Sequence, residues 1–159
     1  MIIRVVNSKK IYNTSFLFSF IMRFEFFGHP AGVKFRAFGG SLEEVFKNAG
    51  LAAADSMSKD NIQNVLNYEV KVNGSDKEEL LHNFLDEIVS LFKKENFLIS
   101  EISNLRIKES DRGFELSAAL FGDYSGNYEI NKQISSVSYN GMIVFEEGGQ
   151  WTAQVVLDD

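Results

Sequence analysis

The sequence predicts an α+β domain, in which two amphipathic helices pack on a curved sheet of about seven mostly antiparallel strands. Two stretches with apolar residues at helical spacing follow capping residues, and other stretches alternate apolar and polar residues as half-buried strands do. Short glycine-containing turns join the last strands, so those strands should pair as hairpins. A chain of 159 residues accommodates one such domain.

The first half of the predicted domain contains two strands and a helix. Arg23–Phe27 is predicted as a strand, and the alternation that begins at Val33 predicts a second one. Ser41 and Glu44 have the spacing of a capping box, so a helix is predicted from there to about Met57. The residues predicted on its buried face are Leu42, Val45, Phe46, Ala49, Ala53 and Met57.

The second half contains another strand, near Val65–Val72, and then a second helix. The capping signal Ser75–Glu78 begins that helix, which is predicted to end near Lys94. Its apolar stripe consists of Leu81, Phe84, Leu85, Ile88, Leu91 and Phe92. Three or four strands finish the chain, with turns at Asp111–Gly113 and Glu147–Gly149. Their predicted ranges are Ile99–Lys108, Gly113–Phe121, Ser135–Phe145 and Trp151–Leu157.

Residues 1–21 form an N-terminal extension, and the domain itself is predicted to span residues 22–159. Three basic residues precede the apolar stretch Ile11–Met22, as in a signal peptide, but polar residues interrupt the stretch and no cleavage site follows it. The stretch is also too short to span a bilayer. The extension is expected to be an added edge strand or a flexible arm, unless Met22 is the true start.

Charge and composition restrict the partners. The net charge is -6, with 16 basic and 22 acidic residues, whereas proteins that bind nucleic acid tightly need a basic surplus. The sequence therefore predicts contact with a protein or an ion rather than direct tight binding of nucleic acid, and no membrane association. The absence of cysteine excludes a disulfide framework and a thiolate zinc site, and it fits the cytoplasm.

The motifs of common enzyme and cofactor sites are missing. The sequence contains no zinc-protease motif, P-loop, dinucleotide fingerprint or nucleophile elbow, so we predict neither an enzyme nor an organic cofactor. His82 is predicted to be a helix-surface or packing residue, because it has no partner at ligand spacing. Asp158 and Asp159 place several hard oxygens after a buried strand, which suits Ca²⁺ or Mg²⁺. The alternative for this pair is a solvated terminus.

Five segments, in order, resemble the archease family. The opening Phe24–Gly39 and the helix start Ser41–Phe46 are similar to the family's first strands and first helix, and Leu80–Glu87 resembles its second helix. Val137–Met142 is similar to the family's Ala-Val-Thr-Tyr-His-Gly-Leu, and Gly149–Asp158 to its closing Trp-x-Ala-x-Val-Val-Leu-Asp. The resemblance extends from about residue 22 to the end of the chain.

The resemblance implies a function in RNA ligation. Archeases are accessory proteins of the GTP-dependent ligase that joins tRNA exon halves ending in a 3′-phosphate or cyclic phosphate. They promote guanylylation and repeated turnover of the ligase, and they carry a divalent ion held by acidic residues. Two other interpretations stay open, a divergent domain that binds another protein and, least favoured, a metal-dependent hydrolase.

The residue-by-residue comparison gives a depleted site. The family's two loop aspartates correspond to Gly28 and Gly32, and its lysine before the tyrosine motif corresponds to Ser135. The remaining acidic residues should hold a divalent ion (Ca²⁺, Mg²⁺ or Mn²⁺) weakly, at about millimolar affinity. Aspartates restored at both glycines are expected to strengthen that binding. The predicted site residues are Asp158 and Asp159 for a metal, and His29, Gly28, Gly32 and Tyr139 for binding.

Overall fold

The structure is a computed structural model that describes residues 22–159. The predictions made for residues 1–21 lie outside the described residues. The secondary-structure elements, in chain order, are β1 (Phe24–Phe27), β2 (Val33–Gly39), α1 (Leu42–Met57), β3 (Leu66–Gly74), α2 (Lys77–Glu95), β4 (Phe97–Ser110), β5 (Gly113–Tyr124), β6 (Ser136–Glu147) and β7 (Gln150–Asp158). A short 3₁₀ turn, Ser125–Asn127, follows β5.

The α+β class is confirmed, and the strands divide between two antiparallel sheets. The first sheet has the order β1-β2-β7-β6, and the second has the order β3-β5-β4. The chain leaves the first sheet after β2 and returns to it with β6, so the last strand lies beside β2. Alternation along a strand predicts which residues face the core but not which strands pair, and the sequence analysis therefore expected one curved sheet.

Helix α1 begins as predicted and is buried on almost every side. The Glu44 amide donates to Ser41 Oγ at 3.1 Å, and the Gly40 amide donates to Glu44 Oε2 at 3.2 Å. Within the helix only Glu44 and Lys47 are exposed. A Cβ atom at Gly50 would lie 2.6 Å from Ile102 Cδ1, so the glycine allows a close approach of α1 to β4. The helix therefore packs against both sheets at once.

Helix α2 begins one residue later than its capping signal suggested. Asp76 is the N-cap and accepts from the Glu79 amide at 2.8 Å, while Glu79 Oε2 accepts from the Ser75 amide at 2.6 Å. Asp76 caps the helix because its carboxylate reaches the amide three residues on. All the residues of the predicted apolar stripe of α2 are buried. Glu78 is left free to accept from the Val144 amide at 3.1 Å, which ties α2 to β6.

The main core lies between the helices and the two sheets. Each helix contacts strands of both sheets, and Phe35 and Val155 of the first sheet are fully buried against them. Within residues 22–159 no helix is long and apolar enough to cross a membrane. Val33 pairs with Leu157, so the loop between β1 and β2 meets the end of β7. That meeting point brings several predicted site residues together.

Candidate functional site

The β1–β2 loop packs directly against the end of β7. Gly32 has a φ of +85°, a region that favours glycine. A Cβ atom there would lie only 2.0 Å from the carbonyl oxygen of Leu157 and 3.1 Å from Asp158 Cα. The structure thus brings Gly32 and Asp158 together, as the resemblance implied, but the contact needs a glycine. Gly28, at the other end of the loop, has open space around it and no positive φ.

His29 is exposed in the same loop and bonds to the loop's own backbone. Its Nδ1 atom contacts the carbonyl oxygen of Ala31 and lies 3.3 Å from the Ala31 amide nitrogen. Both contacts are local, since Ala31 is two residues from His29. The binding role predicted for His29 stays a prediction, and in this geometry Nδ1 already has a local partner.

Asp158 and Asp159 are adjacent in sequence but have different neighbours. The carboxylate of Asp158 accepts from Ser136 Oγ at 3.2 Å, and its backbone carbonyl accepts from the Ser135 amide at 2.8 Å. Asp159 forms an exposed ion pair with Lys132, at 3.2 Å. We call Gly28–Gly32, Ser135–Ser136 and Asp158–Asp159 the terminal cluster.

The terminal cluster does not fit a hard divalent ion. Such an ion takes six or more oxygens, several of them charged. Here Asp159 already faces a lysine ammonium, and Asp158 is the remaining carboxylate. An aspartate at position 32 could not add another without displacing the Leu157 carbonyl. No group of three or more histidine or acidic residues arranged to hold a metal occurs in residues 22–159.

Two lysines approach the terminal cluster from other parts of the chain. Lys93, in the last turn of α2, donates to the Ser135 carbonyl at 3.0 Å, and Lys132 reaches Asp159. Position 135 is where the archease resemblance implies a lysine. In this chain the ammonium group beside Ser135 is that of Lys93, a residue distant in sequence.

Tyr139, a residue of β6, packs against helix α2 and does not belong to the terminal cluster. It is 57% exposed, yet its ring stacks on that of His82, with 3.7 Å between centroids and 6° between planes. His82 is itself fixed, because its Nε2 lies 3.0 Å from the Val137 carbonyl. The pairing of β6 with β7 is irregular between Ser138 and Ile143, and Tyr139 lies within this irregular stretch.

The surroundings of Tyr139 are acidic. Partial desolvation and then the charges of Glu79, Asp76 and Asp86 raise the pKa of Tyr139. Hydrogen bonds from the side chain and backbone of Ser75 lower the pKa of Glu79, so this carboxylate stays ionised. We call Tyr139, His82, Asp76, Glu79 and Asp86 the tyrosine cluster. It presents an aromatic ring, neutral at physiological pH, among negative charges.

The sequence analysis missed two contacts made by these clusters. His82 was interpreted as a surface or packing residue, and its stacking on Tyr139 joins positions far apart in the chain. Lys93 was not assigned to any site, and its bond to Ser135 is equally long-range. His82 and Lys93 lie three turns apart on α2. The residues that each of them contacts depend on where β6 and its flanking residues lie in the first sheet.

Comparison with known proteins gives one consistent family. The profile of the archease protein family matches residues 24–158. The chain is 30% identical over 139 residues to the protein archease of Methanosarcina mazei, covering 86% of this chain and 95% of that one. A protein archease-like of Drosophila melanogaster is 29% identical over 143 residues, covering 86% of this chain and 90% of its own length.

Two solved structures have the same fold. The solution structure of protein 1598 of Methanobacterium thermoautotrophicum superposes with a TM-score of 0.73 and 31% identity, covering 86% of this chain and 99% of that one. The crystal structure of an archease from Thermotoga maritima, described as a possible chaperone, gives a TM-score of 0.55. At 17% identity, with 84% of this chain and 94% of that chain covered, the second comparison supports the fold alone.

Proposed function

Since the chain belongs to the archease family, we propose that it is an accessory protein that activates a GTP-dependent RNA ligase. In this role it promotes guanylylation of the ligase and repeated turnover on RNA with a 3′-phosphate or cyclic phosphate end. The protein acts in the cytoplasm and does not itself catalyse the joining. Family membership over residues 24–158 supports the proposal, since nearly the whole described domain matches.

The observation on which the proposal rests in this chain is the exposed ring of Tyr139, which stacks on His82. A tyrosine held by stacking loses little side-chain entropy on binding, and tyrosines are enriched among the residues that dominate protein interfaces. The carboxylates around it would repel RNA phosphates and attract a basic protein surface. The tyrosine cluster is therefore the proposed contact surface for the ligase.

The proposal does not use a bound metal. The donor set of the terminal cluster does not fit a hard divalent ion, and neither Gly28 nor Gly32 supplies a side-chain oxygen. Residues of this chain instead act by positioning. The loop, Ser135 and Asp158 hold the end of β7 beside β6, and β6 presents Tyr139.

A ligation assay with limiting ligase tests the proposal. The ligase of the same organism is mixed with GTP, Mn²⁺ and an excess of RNA ending in a 3′-phosphate, and turnovers per ligase are counted with and without this protein. We expect many turnovers only when the protein is present. A single turnover in both reactions would refute the activator role.

The contact surface is tested in the same assay by a matched pair of variants. Tyr139→Ala should lower the number of turnovers at low accessory-protein concentration by at least about tenfold, as expected for loss of an interface anchor. Tyr124→Ala removes a tyrosine of similar exposure, 51%, from the other sheet and should behave as the unaltered protein. Equal effects of the two variants would exclude the tyrosine cluster as the contact.

A second function is supported by one observation. Two positions where the resemblance implies acidic residues are glycines, and a side chain at Gly32 would clash with the Leu157 carbonyl. The chain would then be an archease-fold domain that binds a protein and has no role in RNA ligation. The single-turnover outcome of the ligation assay would favour this function.

A further inference from the structure

The chain contains two asparagines that are followed by glycine, Asn73 in β3 and Asn140 in β6. Asparagine is among the thermolabile residues of proteins, and a following glycine, which has no Cβ, leaves the next backbone nitrogen unhindered. Both asparagines are exposed, so the accessibility of the carboxamide does not distinguish the two sites. The glycines differ, since Gly74 is buried whereas Gly141 is exposed.

The backbone at Asn73 and Gly74 is held on both sides. Both residues pair with β5 in an uninterrupted register. The Asn73 carbonyl also accepts from Asn83 Nδ2 at 2.8 Å. A Cβ atom at Gly74 would lie 2.4 Å from the Leu80 nitrogen, so the start of helix α2 packs closely over this backbone. The first asparagine is therefore fixed in an extended strand.

The backbone at Asn140 and Gly141 lies in the irregular stretch of β6. Residues 139–142 have no partner in the register between β6 and β7. The Asn140 amide donates to Ser138 Oγ at 3.0 Å, and the Gly141 carbonyl accepts from Gln154 Nε2 at 2.9 Å. Neither of these contacts occupies the Asn140 carboxamide or the Gly141 nitrogen. A Cβ atom at Gly141 would meet nothing closer than 3.7 Å, so the space around this backbone is open.

We propose that Asn140 is a modification site, at which the carboxamide converts spontaneously to aspartate or isoaspartate with water as the only other reactant. The Gly141 nitrogen attacks Asn140 Cγ, the Cγ–Nδ2 bond breaks, and ammonia leaves with the proton of the attacking amide. Water then opens the five-membered imide. Opening at one carbonyl carbon gives aspartate, and opening at the other gives isoaspartate.

The difference between the two sites follows from the movement that this reaction needs. To bring the glycine nitrogen to the side-chain carbon, the backbone must rotate out of the extended conformation. At Asn73 that rotation requires β3 to separate from β5, which is a local unfolding of a paired strand. At Asn140 the register has no cross-strand pair to break. The fold therefore directs the conversion to Asn140.

The product would change the charge of a surface described above. Asn140 directly follows Tyr139, so the conversion adds a carboxylate at the border of the tyrosine cluster. The archease motif that resembles Val137–Met142 has histidine at this position, so the site is a property of this chain rather than of the family. The inference goes beyond the proposed function and is independent of it, because the chemistry needs only this chain and water.

Peptide mass spectrometry of the aged full-length protein tests the site. The protein is kept at neutral pH and physiological temperature, and samples are digested with trypsin in mild acid to stop the reaction. Cleavage after lysine places Asn73 and Asn140 in separate peptides, residues 72–77 and 133–159, each of which contains one asparagine. The mass gain of a converted carboxamide can thus be followed at each site. We expect Asn140 to convert at least about tenfold faster than Asn73.

Two controls separate the effect of the fold from that of the local sequence. In guanidinium chloride neither site is restrained, so the two rates should become similar. A difference that persists there would overturn the proposal, as would equal rates in the folded protein or no conversion of Asn140 in the folded protein. Asn140→Gln should keep the mass of the 133–159 peptide constant, because glutamine would have to form a six-membered ring. A mass gain that remains in this variant would assign the reaction to another residue and also overturn the proposal.

Discussion

Replacing Gly32 by alanine should destabilise the domain by about 3 kcal/mol, within a factor of about two. The φ of +85° costs an L-residue about 1–2 kcal/mol. The new Cβ would lie 2.0 Å from the Leu157 carbonyl oxygen, and relieving such overpacking costs about 1–3 kcal/mol more. The restricted unfolded chain offsets about 0.4–1 kcal/mol of this loss.

Urea denaturation followed by tryptophan fluorescence measures the effect. Trp151 is the only tryptophan and lies on β7, the strand that must move to admit the side chain. The urea midpoint should fall with little change in the slope of the unfolding free energy, because the surface exposed on unfolding is nearly the same. The midpoint temperature of thermal unfolding should fall by about 10 °C for a domain of this size.

Gly28→Ala is the matched control, since it lies in the same loop without a positive φ and with open space around it. Its stability should stay within about 0.5 kcal/mol of the unaltered protein. Equal midpoints for the two variants would refute the reasoning. That result would mean that the end of β7 shifts freely, and the expected gain in ion binding from aspartates at both glycines would become feasible again.

Three further predictions concern the charged groups. Calorimetry should detect no Ca²⁺ or Mn²⁺ site tighter than about millimolar, and Asp158→Asn should give the same result as the unaltered protein. A tight site that is lost in Asp158→Asn would contradict the donor-set argument. Ser75 lowers the pKa of Glu79, so the hydrogen bonds between them stabilise the folded state at pH values above the ordinary carboxyl pKa. This stabilisation is lost as the pH falls through the lowered pKa of Glu79. Urea midpoints of Ser75→Ala should therefore lie below those of the unaltered protein at neutral pH and converge with them in acid, and a constant difference would argue against this linkage. Glu79→Gln should lower the pKa of Tyr139 toward its ordinary value in a phenolate absorbance titration, whereas Glu115→Gln on the other sheet should leave it unchanged.

The elements were largely predictable from the sequence because their signals are local. The Ser41 cap of α1 and the apolar stripe of α2 depend on spacings within a few residues, and the structure confirms both. The division into two sheets was not predictable, since it depends on β7 pairing with β2 from the opposite end of the chain. Local alternation gives the same pattern for either arrangement.

The candidate site was predictable only where the family resemblance supplied positions. That comparison placed Gly32 near Asp158, and the β2–β7 register indeed joins them. The comparison could not show why position 32 favours glycine. The positive φ and the nearby Leu157 carbonyl are properties of the folded backbone. The stacking of His82 on Tyr139 was hidden for the same reason, as it depends on how β6 lies along α2.

The burial of α1 between two sheets has a consequence for how the domain unfolds. The sheets share no strand, and the helix layer contacts both of them. Opening either sheet would expose the small residues along α1, such as Ala49 and Ala53, which are fully buried. Neither sheet can therefore loosen far without the other, and amide hydrogen exchange at the centres of β5 and β7 should follow a single opening free energy. Because α1 contacts both sheets, the two sheets are expected to unfold together as one cooperative unit.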